Sequence, residues 1–426
     1  MSDASKLFLG CAESTLEVPL FTELYGYGPF KGRRNRGTRD PLYCRAICFS
    51  DGQRKLLAIG TDAVVTDDTD ARILRAQISA ELGILPQDIL FAGTHTHSGP
   101  AMSFGIGWGE MNPEYLAHWR ATVRQMARGA IVDLSPVRAL AGRAPIRKAL
   151  GSNRADPEKN ETDPEIRFVR FLRPDGRVKL LLHNHGMHGV VFGPAQMLVS
   201  ADWMGEANRL IRERGLAEMP FFFNGAAGDV NVLWTHKPEQ RDENLAWIGA
   251  SYIDDLTAAL DSAQEIAVAP LDGKLETFEF PTVQEDATTL RKNAELLRET
   301  WSFAADRYLE MAVLADRGHD FRVLKDLQRL RIGDLAFYAF PGEPFNRLGR
   351  EIMEKSPYPM AMPVSYANGN GRYFPTPETF DRFPVVNPEK FDYGYYEIWA
   401  GGGRYMPRYQ RNIAEFIIGK LLAFDS

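Results

Sequence analysis

The sequence predicts a mixed α/β fold, in which mixed β-sheets are flanked by helices, because three patterns recur along its 426 residues. Apolar runs of strand length alternate with amphipathic runs of helix length. Two pairs of apolar runs are joined by short turn sequences, at 174–176 and 333–334, and each pair predicts a β-hairpin. Since a hairpin pairs its strands antiparallel, the sheets must be mixed rather than purely parallel.

The elements follow one another without an internal repeat or a low-complexity tract. Thr66, Asp67 and Asp68 are candidate N-caps of the first helix, and Gly83 ends it. The second helix opens on a capping residue followed by proline, a usual pairing at a helix start. The predicted elements are, in chain order, a strand at 56–64, a helix ending at Gly83, a strand at 88–92, a helix opening at Asn112-Pro113, a hairpin of 166–173 and 177–184, a strand at 219–224, helices near 243–262 and 284–316, a hairpin of 327–332 and 335–340, and a closing helix near 406–423.

Residues 365–403 differ from the rest of the chain. They are rich in Gly, Pro, Asn and aromatic residues and have little periodicity. A loop of this length inside a compact domain is usually functional, although a surface excursion is the alternative. The many Tyr, Phe and Trp residues favour a long pocket wall or lid, within a single domain that spans 1–426.

Composition and charge exclude several classes of protein. The net charge is −6 and the basic residues are scattered, so no basic stripe for nucleic acid is present. No apolar run approaches the roughly 18 residues of a membrane span. The polar first residues, 1–14, do not resemble a signal peptide, and Cys11, Cys44 and Cys48 form no CxxC pair. We therefore expect buried thiols in a reducing compartment, a cytoplasmic protein and a small-molecule substrate, and a homo-oligomer is compatible with the sequence.

Five of the eight histidines lie in two short segments at the ends of predicted strands. They are His95 and His97 in THTHSGP, and His183, His185 and His188 in HNHGMHG. An HxH pair in extended chain places both imidazoles on one face, because side chains alternate with a period of two. A single histidine is more often a hydrogen-bonded core residue, but clustered histidines at strand ends favour a metal site.

Three other polar loops also follow apolar strands, at 224–229, 341–343 and 365–373. Ligands bind at the carboxyl ends of strands in α/β sheets, where such loops meet at one rim. Zinc needs three protein ligands of N or O type and an open position, and two histidines with a carboxylate would meet that need. The spacing alone leaves the choice of ligands open, since His95 and His97 would serve equally well as a joint pair.

The string THTHSGP at 94–100 resembles the neutral/alkaline ceramidase family, and the resemblance extends through most of the chain. Further segments resemble motifs of that family: 39–46 (RDPLYCRA), Asn153-Arg154, Met187-His188-Gly189, 199–202 (VSAD), 224–230 (NGAAGDV), Pro341-Gly342-Glu343, 373–378 (YFPTPE) and Tyr396-Glu397. The resemblance implies the α/β fold of the family's catalytic domain. The sequence ends soon after that domain, so we expect no C-terminal β-sandwich domain.

Carried over residue by residue, the resemblance implies a metal site and two catalytic residues. His95, His188 and Glu343 would be the zinc ligands. His97 would be a catalytic histidine beside the metal, and Arg154 would donate to an oxygen of the substrate. The resemblance also implies five substrate-binding residues, which are Asn224, Gly225, Asn231, Tyr373 and Tyr396.

Two departures from the family pattern matter for function. Asn231 stands where the ceramide-cleaving members have a serine nucleophile, and an amide side chain cannot attack a carbonyl. Asn370 stands where the family has a tyrosine as a fourth metal ligand, and its carbonyl oxygen would be a weaker ligand for zinc. The metal platform is thus retained while ceramide-specific parts are changed.

We therefore expect a zinc-dependent hydrolase that cleaves an amide-type C–N bond in a substrate other than ceramide. A metal-bound hydroxide would replace the missing serine, with His97 as general base or acid and Arg154 as oxyanion donor. One alternative is a metal-dependent hydrolase or lyase acting on a sugar derivative or an ester. A second is a non-catalytic metal-binding relative, and a third is an unrelated amidohydrolase barrel, which the interrupting hairpins disfavour.

Overall fold

The computed structural model describes residues 6–28, 32–235, 241–387, 389, 392–401 and 405–426. The strands are β1 (Leu7–Leu16), β2 (Leu42–Ser50), β3 (Lys55–Thr61), β4 (Ile89–Gly93), β5 (Ser135–Pro145), β6 (Gly151–Asn153), β7 (Glu165–Leu172), β8 (Val178–His185), β9 (Met219–Asn224), β10 (Val230–Val232), β11 (Gln264–Glu265), β12 (Leu271–Glu279), β13 (Leu324–Ile332), β14 (Leu335–Ala339), β15 (Glu343–Pro344), β16 (Met360–Val364) and β17 (Tyr373–Phe374). The helices are α1 (Asp68–Leu82), α2 (Pro113–Val132), α3 (Asp202–Glu213), α4 (Arg241–Ala259), α5 (Ala287–Leu297), α6 (Ser302–Asp316), α7 (Asn346–Lys355), α8 (Pro377–Arg382) and α9 (Ile413–Leu422).

Two mixed sheets form the centre of the fold. The larger sheet has the strand order β4-β3-β2-β1-β5-β7-β8-β9, with β11 beside β5, and the smaller has the order β12-β13-β14-β16. The pairs β3/β4, β8/β9 and β14/β16 are parallel, whereas β7/β8 and β13/β14 are the two predicted hairpins. The predicted mixed α/β fold is confirmed.

The two sheets pack face to face, and a layer of helices covers each outer face. Apolar side chains from both sheets form one core between them, in which the rings of Phe223 and Phe337 lie 5.3 Å apart. Helices α1 to α4 pack on the outer face of the larger sheet, and α5, α6, α7 and α9 pack on that of the smaller. This arrangement buries both faces of the central strands, which explains why they read as continuous apolar runs.

The helix ends follow the predicted capping chemistry. The Asp67 carboxylate accepts a hydrogen bond from the backbone N–H of Thr69 at the start of α1, and Gly83 ends the helix with φ of 66°. Asn112 caps α2 by accepting from the backbone N–H groups of Glu114 and Tyr115. Side-chain oxygens at N-caps satisfy backbone donors that have no partner within the helix.

Two helical predictions were wrong in extent. The single helix predicted near 284–316 is two helices, α5 and α6, and the break at Trp301 lets that ring pack 5.2 Å from the ring of Tyr396. The closing helix begins at Ile413 rather than near 406. The preceding residues instead pair with the segment before α5, through the Thr282 and Tyr409 bridge. In both places tertiary contacts override the local helical preference.

The described part of the segment 365–403 contains β17, α8 and a π-helical turn at Tyr396–Ala400. Most of its aromatic side chains belong to the core that covers the smaller sheet, whereas residues such as Val385 are exposed. Residues 388, 390, 391, 402 and 403 of the predicted loop lie outside the described residues.

The three cysteines are free, with Cys44 and Cys48 buried. Among the described helices, none combines the length and apolar character that crossing a bilayer requires.

Candidate metal centre

The loops that follow β4, β8, β9, β14 and β16 meet at one rim of the double sheet. Backbone hydrogen bonds join them to one another, for example from Gly228 N to Pro344 O at 2.8 Å and from Ser365 N to Asn224 O at 2.9 Å. A bridge between Thr96 and Gly189 ties the loop after β4 to the loop after β8. The expected convergence of polar loops at the carboxyl ends of strands is therefore present.

His95 and His97 lie together for a reason different from the one expected. His95 has φ of 71°, so the chain at this pair is not an extended strand. A left-handed conformation is costly for a residue with a side chain and is held here by the neighbouring structure. Thr96 Oγ1 donates to Ser200 O at 2.6 Å, which fastens the residue between the two histidines. The turn brings the two imidazole rings to a centroid separation of 4.6 Å.

The Nδ1 atoms of two histidines are fixed by backbone carbonyl groups. His95 Nδ1 donates to Val64 O at 2.8 Å, and His188 Nδ1 lies 2.6 Å from Ala227 O. With the proton on Nδ1, each imidazole presents the lone pair of Nε2 to the rim. This is the usual orientation of metal-binding histidines, whose second nitrogen donates to a carbonyl or carboxylate.

The carboxylate of Glu343 completes the set. Its Oε2 lies 3.3 Å from His95 Nε2 and 3.2 Å from His188 Nε2. Burial alone would raise the pKa of Glu343, but the imidazoles of His95 and His188 outweigh it and hold that pKa far below its usual range. Burial lowers the pKa of His188 to about 3, so this imidazole is neutral at neutral pH. The set thus combines neutral imidazole with an ionised carboxylate, as metal binding requires.

These residues fit a zinc ion. His188 Nε2 and Glu343 Oε2 are buried and accept no hydrogen bond from the described residues. Buried polar atoms without partners are rare in proteins, and lone pairs that face one another repel unless a cation lies between them. Two imidazole nitrogens and one carboxylate oxygen form a donor set that zinc prefers.

His97 lies beside this set and differs from it in one respect. Its Nε2 is 3.0 Å from His95 Nε2, and the ligand atoms of His95, His97 and His188 all lie within 4.8 Å of one another, so His97 also belongs to a candidate metal group. However, its Nδ1 is buried and has no partner among the described residues. Burial, together with the nearby imidazoles of His95 and His188, lowers the pKa of His97 well below its usual value. The missing carbonyl anchor favours the catalytic role that the resemblance implied, and this assignment stays a prediction.

Gly26 sets the position of the His97 ring. A Cβ atom at Gly26 would lie 2.5 Å from His97 Cγ, and this glycine has φ of 123°. We expect Gly26→Ala to displace the ring and lower kcat/KM by about 100-fold without loss of metal, because a shift of about 1 Å in a catalytic group has that effect. Gly52→Ala is the control for backbone strain, since Gly52 has φ of 93° and no atom near its Cβ position. Equal activity of the two variants, measured with metal content, would contradict this role of Gly26.

Arg154 is held by five groups of the segments around it. Its Nη1 donates to Asn231 Oδ1 at 3.0 Å and its Nη2 to Gly228 O at 2.9 Å, while Nη2 also lies 3.0 Å from Glu397 Oε1. The rings of Tyr373 and Tyr393 lie 5.4 and 4.7 Å from the guanidinium carbon. The guanidinium is therefore rigid before any substrate binds.

Asn231 lies in β10, which pairs with β6, and Arg154 is the residue that follows β6. Its Oδ1 accepts from Arg154, and its Nδ2 makes no hydrogen bond with the described residues. Asn231 thus offers an N–H donor to the cavity at the position where the family resemblance implies a serine nucleophile. The backbone N–H of Arg154 donates to Asp229 O at 2.7 Å, which fixes the two loops relative to each other.

Asn224 and Gly225 hold the rim together instead of lining the cavity. Asn224 Nδ2 donates to Thr94 O and Met187 O, and its Oδ1 accepts from Met187 N. Gly225 packs so closely on the neighbouring loop that a Cβ atom would lie 2.9 Å from Gly186 N. Neither residue is among those that line the cavity described below, and their contact with substrate stays a prediction.

Asn370 is also engaged away from the metal set. Its Nδ2 donates to Ser103 Oγ at 3.2 Å, and its backbone oxygen accepts from Lys325. Tyr366, which the sequence comparison did not single out, stacks on the His95 ring with centroids 3.7 Å apart, and its buried hydroxyl has no partner among the described residues. Tyr366 therefore contacts a candidate metal ligand, and the role of Asn370 as a ligand stays a prediction.

A cavity of about 580 Å³ opens beside His97, Arg154 and Asn231. Its described walls include the predicted residues Tyr373 and Tyr396. They also include Tyr393 of the segment 365–403 and three aromatic residues that the sequence did not indicate, which are Tyr27, Trp301 and Phe303. Trp301 comes from the break between α5 and α6, and Phe303 from the first turn of α6. The sequence at this break contains neither Gly nor Pro to signal it.

The chain matches no protein-family model, and a comparison with curated proteins finds no match. Among solved structures it is similar to the neutral ceramidase from Pseudomonas aeruginosa, with a TM-score of 0.78 and 17% identity over 99% of this chain and 75% of that one. It is similarly close to a ceramidase complexed with C2, with a TM-score of 0.77 and 16% identity over 99% of this chain and 75% of that one. At these identities the similarity establishes a neutral-ceramidase-like fold, as the sequence motifs had predicted.

Proposed function

We propose that this chain with a neutral-ceramidase-like fold is a zinc-dependent hydrolase that cleaves an amide-type C–N bond. The observation that carries the proposal is the approach of His95 Nε2 and His188 Nε2 to within 3.3 Å of Glu343 Oε2, beside a cavity lined by His97 and Arg154. A zinc ion held by these three residues would supply Lewis acidity and make water acidic enough to react at neutral pH.

The residues around this set supply the remaining functions of an acyl-transfer site. His97 presents Nε2 toward the metal ligands and can hold or release a proton at that atom. Arg154 Nη1 has a second N–H that no described residue accepts, and Asn231 Nδ2 lies beside it. Fixed donors of this kind stabilise the negative charge that develops on a carbonyl oxygen.

The nucleophile is water rather than a side chain at the cavity wall. Asn231 occupies the position of the family's serine, and its Oδ1 is bound to Arg154. An amide is not a nucleophile under these conditions, so no covalent intermediate forms at this residue. We therefore propose a small or medium polar amide as substrate, and not ceramide. From the sequence alone, we also propose that the protein acts in the cytoplasm and does not bind nucleic acid.

The aromatic lining of the cavity supports one alternative. Flat side chains such as Trp301 and Tyr396 can stack on a sugar ring as well as contact an acyl chain. A hydrolase or lyase that acts on a sugar derivative, or an esterase, would use the same metal set. A non-catalytic metal-binding relative has less support, because binding a metal does not require His97 or Arg154.

The test is metal-dependent turnover on a panel of substrate classes. Protein dialysed against chelator is compared with protein resupplied with Zn²⁺, on N-acyl amides, aryl esters, glycosides and ceramide. We expect amide hydrolysis that returns with Zn²⁺ and little cleavage of ceramide. Cleavage restricted to glycosides or esters would favour the alternative, and bound zinc without turnover on any class would favour a non-catalytic relative.

A further inference from the structure

The charge inside the cavity is balanced by a buried ion pair. Arg154 is the one permanently charged side chain among the described residues that line the cavity. Its Nη2 lies 3.0 Å from Glu397 Oε1, and the side chains are 9% and 0% exposed. Because both are buried, solvent screens this pair little, and the cavity receives almost no net charge from it.

Another anion cannot easily displace the carboxylate of Glu397 from Arg154. It lies in the π-helical turn at Tyr396–Ala400, and its carboxylate also accepts a hydrogen bond from Gly394 N. Arg154 Nη2 donates to Gly228 O and lies 3.0 Å from Glu397 Oε1, so a second anion at this nitrogen would have to displace one of these two groups. A second carboxylate at the guanidinium would lie close to that of Glu397, and like charges in a buried site repel strongly.

A neutral hydrogen-bond acceptor would not be repelled by the carboxylate of Glu397. The free N–H of Arg154 Nη1 and the Nδ2 of Asn231 can both donate to an uncharged carbonyl oxygen. The tyrosine rings of Tyr373 and Tyr396 are suited to an apolar or ring-shaped group beside it. The arrangement thus accommodates a polar but uncharged ligand.

We propose that Glu397 is a specificity-determining residue that neutralises Arg154 and restricts the cavity to uncharged acyl or amide groups. The proposal rests on the proposed function only in taking this cavity as the substrate site. Substrates with a free carboxylate or phosphate beside the reacting carbonyl are rejected by the pair. Replacing Glu397 with a neutral residue of the same shape should expose the guanidinium and admit anions.

Two probes of the same skeleton test this directly. N-acetyl-L-phenylalaninamide is neutral, and N-acetyl-L-phenylalanine carries a carboxylate. Their dissociation constants are measured by titration calorimetry with the purified full-length protein, and the probes are checked afterwards for hydrolysis. We expect the wild type to bind the neutral probe at least about 10-fold more tightly. Glu397→Gln should strengthen binding of the anionic probe by about 10- to 100-fold, the usual gain from a hydrogen bond to a charged group, and change the neutral probe little.

Further variants separate charge from shape. Arg154→Gln in the Glu397→Gln background should remove the gain for the anion, and Glu378→Gln, an exposed change of the same chemistry, should leave both affinities unchanged. The proposal would be overturned if the wild type preferred the anionic probe or bound neither probe. It would also be overturned if Glu397→Gln did not strengthen binding of the anionic probe, or if that stronger binding survived Arg154→Gln. If Glu397→Gln does not fold, the wild-type preference alone decides. These binding measurements need no turnover. The probes can therefore fail to show the expected preference while metal-dependent amide hydrolysis is observed, and they can show it while no such hydrolysis is observed.

Discussion

Glu343→Gln is expected to lose both the bound metal and the activity. The substitution keeps the shape of the side chain but removes the negative charge from a site in which Oε2 faces His95 Nε2 and His188 Nε2. A metal ion contributes several kcal/mol to stabilising the transition state of such a hydrolysis, so we expect kcat/KM to fall by about 1000-fold or more. Metal content after dialysis, measured by mass spectrometry, should fall in parallel.

The control for this change is Glu378→Gln. Glu378 lies on α8, is exposed and pairs with Arg347 on α7, so its loss should affect neither metal content nor kcat/KM. Thermal unfolding adds an independent measurement, because a ligand that binds only the folded state raises the melting temperature. Added Zn²⁺ should raise the melting temperature of the chelated wild type but not that of Glu343→Gln. Full metal content in Glu343→Gln would show that the metal lies elsewhere.

The local features of this fold could be read from the sequence because their causes are local. Asp67 and Asn112 cap the helices that their positions predicted, and the turn sequences produced the two hairpins. The strand ends also predicted the rim at which the polar loops meet, since His95 and His188 lie in the loops that follow β4 and β8. Short-range hydrogen bonding and hydrophobic periodicity determine all of these features.

The layer arrangement could not be read in the same way. The central strands are apolar on both faces, so their pattern does not show which face meets the second sheet and which meets the helices. Phe221 and Phe222 are neighbours in β9, yet one lies between the sheets and the other lies under α3 and α4. Only long-range packing decides such an assignment.

The residues missed at the site were those whose positions depend on distant segments. Tyr366 stacks on His95 from a loop about 270 residues away, with a left-handed backbone of φ 56° that aligned motifs do not reveal. Glu397 contacts Arg154 through a π-helical turn, which has no clear sequence signal. By contrast, the resemblance places Asn370 at the position of a tyrosine ligand, and its side chain binds Ser103.

His97→Ala is expected to keep the metal and lose turnover, in contrast to His95→Ala, which should lose both. The two substitutions remove the same side chain from the same short segment, so they form a matched pair. His95 Nδ1 is anchored by Val64 O, as metal-binding histidines are, whereas His97 Nδ1 has no partner among the described residues. Removal of a general acid or base lowers the rate by about 100- to 10,000-fold, and the loss should fall on kcat more than on KM. If dialysed His97→Ala protein retained no metal while His95→Ala remained loaded, the assignments of the two histidines would be reversed. Loss of metal from both variants would make His97 a third imidazole ligand, and the proton transfer would then need another residue.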